Sequence, residues 1–365
     1  MLFGRRAGPP TGIYIGLLVV ANSVLGVRVE RSKAEELRRA LARQGVVDKG
    51  YQIVEDVHSV VIPVNSRPEA GLLDEFAADV VQSDFPRRST RSDPIDEIRR
   101  LADIPEELKP LMPRKWELFG DVLVIRLDHA LDACERAVAE AYARVLDAKA
   151  VLRDVGGISG ELRRPELRLL FGTDAVTTHI ENGVRFRFDV SQIMFSSGNM
   201  EERIRMAETR CDDETVVDMF AGIGYFSIPM AVYQKPRRVI ACELNPVAHS
   251  YLVENIALNG VAGRVQAVLG DNRDLPGESF ADRVIMGYVK TTHEYLPAAL
   301  RMLRHGGMLH YHETCPCDLM PHRPIQRIVE AARGSEVVVT RFKEVKSYAP
   351  GVGHVVVDAR VLKPG

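Results

Sequence analysis

The stretch VVDMFAGIGYFSIPM, Val216 to Met230, decides the fold. An apolar run ends in an acid, Asp218, and is followed by Gly222 and Gly224 and then by Phe226, Ile228 and Met230. Two closely spaced glycines after a strand let the backbone turn tightly, and the N–H groups at the start of the next helix bind polar parts of a ligand. The stretch therefore reads as strand, glycine turn and helix. Toward the C-terminus the same rhythm repeats in RVIACEL (238–244), VQAVLG (265–270), DRVIMG (282–287) and MLHYHE (308–313). Helical stretches separate these runs, and EVVVTRF (336–342) with HVVVDARVL (354–362) closes the series as a hairpin. Strands alternating with helices predict a doubly wound α/β sheet.

The strand ends narrow the chemistry. The second strand ends in Glu243, where an acid meets both ribose hydroxyls of a bound nucleoside. The third ends in Asp271 and Asn272, a carboxylate and an amide suited to adenine N6 and its neighbours. A Gly-x-Gly alone is weak, but three consecutive strand ends of this kind fit an adenosyl group. The dinucleotide NAD, the runner-up, needs a third glycine where Ser227 stands. S-adenosyl-L-methionine is the expected cofactor, with Asp218, Gly222, Gly224, Glu243, Asp271 and Asn272 around it.

The remaining sequence sets broader bounds. The chain has 365 residues, room for two domains, and a formal net charge of -2, so any contact with nucleic acid must be local. Its five cysteines, 134, 211, 242, 315 and 317, include no Cys-x-x-Cys pair, which points to a reduced, cytoplasmic setting. From Ala7 to Val27 there is no charge, behind Arg5 and Arg6. This resembles a signal or anchor, but its prolines and glycines favour a buried strand or a start placed upstream of the true one; no membrane partner is expected.

The domain reading is a hydrophobic segment over 1–27, a small α/β region and linker over 28–110, an α+β substrate-binding region over 111–207 and a Rossmann-like catalytic domain over 208–365. In the first region, RSKAEELRRALARQG reads as a helix with Ser32 as its cap and Gly45 as its stop. Gln82 to Pro94 is polar and proline-broken, the best linker, and its Arg87, Arg88 and Arg91 are candidate phosphate contacts. Asp93 and Pro94 then start a helix, and another is expected from Ala130 to about Ala150. In GVRFRFDV, Arg185 and Arg187 alternate with Phe186 and Phe188, either a half-buried strand with a solvated face or a sheet that offers arginines to RNA.

Two stretches need care. HYHETCPC places His310 and His312 on one strand face near Cys315 and Cys317, but without a standard zinc spacing, so no metal is expected. DRVIMGYVKTTHEYL, Asp282 to Leu296, is a buried strand running into a loop at a sheet end, where open α/β sheets put chemistry. Enzymes that methylate a base often carry Asn-Pro-Pro or a relative there, and this chain has Gly287, Tyr288 and Val289.

Together IMFSSGNMEERIRM, VVDMFAGIGYFSIPMA, ELNP, GDNRD, DRVIMGYVKTTHEYL, HYHET and KSYAPGVGHVVVDARV resemble the archaeal and eukaryotic wybutosine-synthesis family, tRNA(Phe) 3-amino-3-carboxypropyltransferases. The similarity runs from about Trp116 to Lys363 and is dense after Asp189. It implies a class I S-adenosylmethionine-dependent methyltransferase fold and transfer of the aminocarboxypropyl group to a tricyclic guanine derivative beside the anticodon of tRNA(Phe); a monomer is expected. It further implies cofactor contacts at Ser196, Arg203, Glu243, Asp271 and Asn272. Gly287 and Tyr288 are expected to shape the pocket for the base, and with Arg203 they are the candidate catalytic residues. The related tRNA guanine-N1 methyltransferases share most motifs but carry an Asn-Leu-Pro or Asn-Pro-Pro loop. That activity is the alternative, and an RNA-binding protein with a decayed cofactor site is the second. One departure stands out: the family more often has Phe-Ser-Pro-Arg-Asn where this chain has Phe195-Ser196-Ser197-Gly198-Asn199.

Overall fold

A computed structural model describes residues 23–56, 58–87, 93–159 and 164–364. Most of the uncharged stretch from Ala7 lies outside them, as do Arg88 and Arg91. Among the described residues no helix is long and apolar enough to cross a membrane. The chain divides into two compact units, 1–92 and 93–365. The division falls inside the polar run Gln82 to Pro94, ahead of the 110/111 boundary expected from sequence.

The first unit contains β1 (Val24–Glu30), α1 (Ala34–Arg43), β2 (Val54–Glu55), β3 (Ser59–Pro63), α2 (Ala70–Phe76) and β4 (Asp79–Ser83). Its antiparallel sheet runs β2-β3-β1-β4. Leu37, Ala40 and Leu41, spaced to share a helix face, are buried, and Leu37 and Leu41 pack α1 onto Val27, Val29 and Ile62. Ser32 is not the helix cap: its hydroxyl bonds Glu30 within a short 3-10 turn, and α1 begins after Lys33 without a side-chain cap. Arg87 is exposed and lies against the Tyr51 ring, 5.9 Å from its centroid.

The second unit opens with α3 (Pro94–Leu101), where Asp93 accepts from the Ile95 amide with Pro94 at the first helical position. There follow β5 (Trp116–Phe119), β6 (Val122–Ile125), α4 (Glu135–Leu146), β7 (Ala150–Ser159) and β8 (Arg164–Phe171), forming a sheet of order β5-β6-β7-β8. The helix expected to reach Ala150 stops at Leu146, because Asp147 turns left-handed at φ 52 and Ala150 already pairs with Val122. Then come the hairpin β9 (Val176–Glu181) and β10 (Val184–Asp189), and α5 (Met200–Glu208).

The large sheet and its helices are built from β11 (Thr215–Asp218), α6 (Ser227–Tyr233), β12 (Arg238–Glu243), α7 (Pro246–Leu258), β13 (Val265–Leu269), β14 (Ala281–Met286), α8 (Leu296–Met302), β15 (Leu303–Pro316), α9 (His322–Ala331), β16 (Glu336–Ala349) and β17 (Val352–Leu362). Strand order is β13-β12-β11-β14-β15-β17-β16, with the first five parallel and the last two antiparallel. Central strands covered on both faces read as continuous apolar runs, and every residue of β14 is buried. The order reverses between β11 and β14. A crevice opens beyond the strand ends at such a reversal, and ligands of open α/β sheets bind there.

Candidate functional site

A cavity of about 430 Å³ occupies that crevice. Four successive strand ends line it: Met219, Phe220 and Gly222 after β11, Glu243 to Asn245 at β12, Asp271 and Asn272 after β13, and Tyr288, Lys290 and Thr291 after β14. Gln192, Ile193, Met194, Tyr225, Ala248 and Tyr295 complete it.

The glycine turn is fixed by backbone geometry. Gly222 and Gly224 have φ of 59 and 104, which L side chains rarely adopt, and a Cβ at Gly222 would collide with the Tyr225 ring. Below the turn Asp218 is fully buried and accepts from Ser227 Oγ at 2.6 Å and from the Phe220 amide at 3.3 Å. Burial pushes its carboxyl up to about 6 against these bonds. Asp218 therefore braces the turn from beneath and does not line the cavity.

Glu243 faces the cavity. Its Oε2 accepts from the Gly222 amide at 2.8 Å and its Oε1 from the Asn245 amide at 2.7 Å. Burial raises its pKa while these amides oppose the rise. Each carboxylate oxygen keeps acceptor capacity beyond the bond it makes, so two aligned acceptors remain for a pair of hydroxyls. Asn272 donates through Nδ2 to the Met219 carbonyl at 2.8 Å, and its buried Oδ1 has no partner. A buried, unpaired amide oxygen in a cavity wall suits an amine donor. Asp271 is instead held by Arg273 at 2.5 Å, which keeps its pKa low. Of the two, Asn272 is the better placed to read an adenine amine. The residues present thus fit an adenosyl group: paired acceptors for the ribose, an unpaired acceptor for the base and a glycine cradle beside them.

On the opposite wall the Tyr288 ring stacks on Phe220, with centroids 5.3 Å apart and planes at 19°, and Tyr295 meets Phe220 edge-on at 5.0 Å. Gly287 runs against Phe226, so that a Cβ there would stand 2.8 Å from the ring. The loop is tied down by Thr292 Oγ1, which donates to the Tyr288 carbonyl, and by Thr314 Oγ1, which donates to the Val289 carbonyl.

Not every expected residue reaches the cavity. Arg203 is 3% exposed, and its guanidinium grips Glu181 at 2.5 and 2.6 Å while a third N–H donates to the Ser196 carbonyl. It also covers the Phe195 ring at 4.5 Å. Two of its five N–H donors remain for other contacts, but it is no free cation on the cavity wall, contrary to the expectation of a direct catalytic role. Ser196 likewise stands outside the lining, its hydroxyl accepting from Lys346 Nζ at 2.6 Å. Lys346 Nζ would also lie 3.2 Å from a Cβ on Gly198, so it fills space beside the position where the family more often has Arg.

Arg185 and Arg187 are exposed, while Phe186 and Phe188 are buried. The strand edge is held to α7, because the Asn259 and Asn255 side chains accept from the Arg185 and Arg187 amides. Arg187 also pairs with Glu254 at 3.2 Å. His310 and His312 are structural. His310 donates through Nδ1 to Asp358 and accepts from Arg283, both at 2.6 Å, which leaves it neutral, and burial pushes His312 down to about 3. Among the described residues no group of three or more His, Cys, Asp or Glu is placed to hold a metal ion.

Sequence reasoning missed several lining residues. Phe220, Tyr225 and Lys290 sit within stretches already singled out, and only the backbone path shows that they face the ligand. Gln192 to Met194 carry no local signal and enter through the fold, with Tyr225 Oη donating to the Met194 carbonyl.

Comparison with known proteins gives the family. Residues 177–340 match the TRM5/TYW2 methyltransferase domain, 98–175 the TYW2 N-terminal domain and 26–72 the tRNA methyltransferase 5 N-terminal domain. A Pyrococcus horikoshii protein named tRNA(Phe) (4-demethylwyosine(37)-C(7)) aminocarboxypropyltransferase is 49% identical over 263 residues, covering 72% of this chain and 94% of the relative. The crystal structure of P. horikoshii TYW2 in complex with MeSAdo superposes with a TM-score of 0.69 at 45% identity, over 74% of this chain and 100% of the other. That of Trm5b from Pyrococcus abyssi gives 0.66 at 32% identity, over 93% of this chain and 99% of the other.

Proposed function

The chain belongs to the TRM5/TYW2 family, and on that premise we propose that it transfers the 3-amino-3-carboxypropyl group of S-adenosylmethionine to the tricyclic 4-demethylwyosine base beside the anticodon of tRNA(Phe), releasing methylthioadenosine. The observation that carries this reading is the 49% identity to the aminocarboxypropyltransferase across 94% of that relative's length. The cavity supports it, because its polar groups match an adenosyl moiety, and of the Gly287-Tyr288-Val289 run after β14, which lacks the amide side chain of the guanine-N1 methyltransferases, Tyr288 lines the wall.

A sulfonium activates all three of its carbons toward displacement, so placement decides which one reacts. In the proposed reaction the bond from sulfur to the aminocarboxypropyl carbon breaks, its electron pair stays on sulfur, and a new C–C bond forms to the base. The base carbon then loses its proton to solvent. Neighbouring ring nitrogens make that carbon nucleophilic, and no strong general base is needed. The chain contributes binding and alignment: Glu243 takes the ribose hydroxyls, Asn272 Oδ1 the adenine amine and the Gly222 turn the close approach. Gly287 and Tyr288 shape the wall that meets the base, since glycine allows approach and tyrosine stacks. Arg203 acts through Ser196, whose carbonyl it holds. Arg185, Arg187, Arg87 and Arg88 are proposed phosphate contacts for the tRNA, and the enzyme is proposed to act as a cytoplasmic monomer.

The test is mass analysis of the nucleoside after reaction with two tRNAs, one carrying the tricyclic base and one carrying plain guanosine. An aminocarboxypropyl adduct on the first alone supports the proposal. A methyl adduct on the second would replace it with the guanine-N1 methyltransferase reading, which the match of residues 26–72 keeps worth measuring.

A further inference from the structure

Lys290 is the one lysine or arginine among the residues lining the cavity. Its side chain is exposed and, among the described residues, has no hydrogen-bond or ion-pair partner. The other cations close by are matched: Arg273 grips Asp271 and Arg203 grips Glu181. The cavity's acids, Glu243 and Asp271, stand at β12 and β13 on one side of the strand-order reversal, whereas Lys290 follows β14 on the other side. Charge is therefore divided across the site, with anions at the nucleoside end and a single cation opposite.

S-adenosylmethionine has one anionic group, the carboxylate of its amino-acid arm. With the adenosine assigned to Glu243 and Asn272 at the β12 and β13 ends, the part of the cavity left for the arm is the β14 side, where Lys290 stands. We propose that Lys290 receives this carboxylate and so positions the arm's methylene next to sulfur for attack, an assignment that rests on the S-adenosylmethionine reading above. Lysine suits the task as a compact charge with three donors on a flexible stem. It meets the carboxylate before transfer and can follow it as the arm moves to the base, because the carboxylate travels with the transferred group.

Methylthioadenosine has the same nucleoside and sulfur but no arm, so it separates this role from a general effect on the cavity. Isothermal titration of wild type, Lys290→Met and Lys290→Arg with each ligand is the test. The expected result is that Lys290→Met weakens S-adenosylmethionine about tenfold and leaves methylthioadenosine within about twofold, and that Lys290→Arg restores most of the loss. Equal weakening of both ligands would assign Lys290 to the shape of the loop and overturn the proposal. Unchanged affinity for both, with a raised KM for tRNA alone, would assign it to an RNA phosphate and also overturn it. A wild-type chain that binds neither ligand sinks the S-adenosylmethionine reading and this assignment together, whereas normal wild-type binding with an indifferent variant sinks the assignment alone.

Discussion

Replacing Glu243 by glutamine tests the nucleoside end of the site. Both carboxylate oxygens already accept backbone N–H groups, at 2.8 Å from Gly222 and 2.7 Å from Asn245, and both are assigned to ribose hydroxyls. Glutamine keeps the shape but turns one acceptor into a donor. Whichever way the amide is flipped, an NH2 faces either the Gly222 or the Asn245 amide, so one backbone donor loses its partner. One hydroxyl must then reverse its role, and the other bond becomes neutral. Hydrogen bonds to a charged group are worth roughly 1.5–3 kcal/mol each and neutral ones roughly 0.5–1.5. Two charged bonds exchanged for about one neutral bond lose roughly 2–4 kcal/mol, or about 30- to 1000-fold in affinity. Isothermal titration should show this loss for S-adenosylmethionine and for methylthioadenosine alike, since both carry the ribose. Its raised pKa adds a pH effect: ligand affinity falls as acidification protonates Glu243, and the variant lacks that dependence. A Glu243→Gln chain that binds either ligand within about threefold of wild type would refute the reasoning, because so small a loss is less than one charged hydrogen bond.

Tyr288→Ala removes the ring stacked on Phe220, and kcat/KM for tRNA should fall by about tenfold or more, as expected for a base-stacking surface; unchanged turnover and tRNA affinity would sink that role. Arg203→Met leaves Glu181 buried without its partner and should lower stability by about 3–5 kcal/mol in urea denaturation. The double variant with Glu181→Met should recover most of it, and failure to recover would show that the arginine acts elsewhere. Asp218, raised to about 6 from an ordinary 3.8, binds its proton more tightly in the folded chain. Its stabilising contribution is therefore complete below that ordinary value and is lost as pH rises through about 6. The stability of wild type relative to Asp218→Asn should accordingly fall by about 2 kcal/mol between roughly pH 4 and 6.5, and a difference that does not change with pH would contradict the buried titration.

The catalytic sheet was legible because buried parallel strands advertise themselves as apolar runs, and their ends as the first polar residues after them. Asp218, Glu243 and Asp271 were found in this way. The division of labour among them was not legible, because it depends on side-chain direction: Asp218 points beneath the turn, Asp271 turns to Arg273 and Asn272 is left with the open acceptor. That Arg203 of α5 spends its guanidinium on Glu181 was not legible either, because that partner lies 22 residues earlier, at the end of β9. Strand β7 was missed because VLRDVGGIS breaks the alternation with Gly156 and Gly157, where the register with β8 shifts. Its neighbour helix was overextended for want of a visible stop, since Asp147 ends it through a left-handed turn rather than glycine. Lys290 lay in the very loop that raised the question of chemistry, yet an exposed lysine in a loop carries no signal until the cavity wall is drawn around it.

The most direct measurement is the small molecule released when the enzyme, labelled S-adenosylmethionine and tRNA carrying the tricyclic base are incubated together. The account predicts methylthioadenosine, with label from the amino-acid arm recovered on the tRNA. Release of S-adenosylhomocysteine, with a labelled methyl group on the tRNA instead, would contradict it.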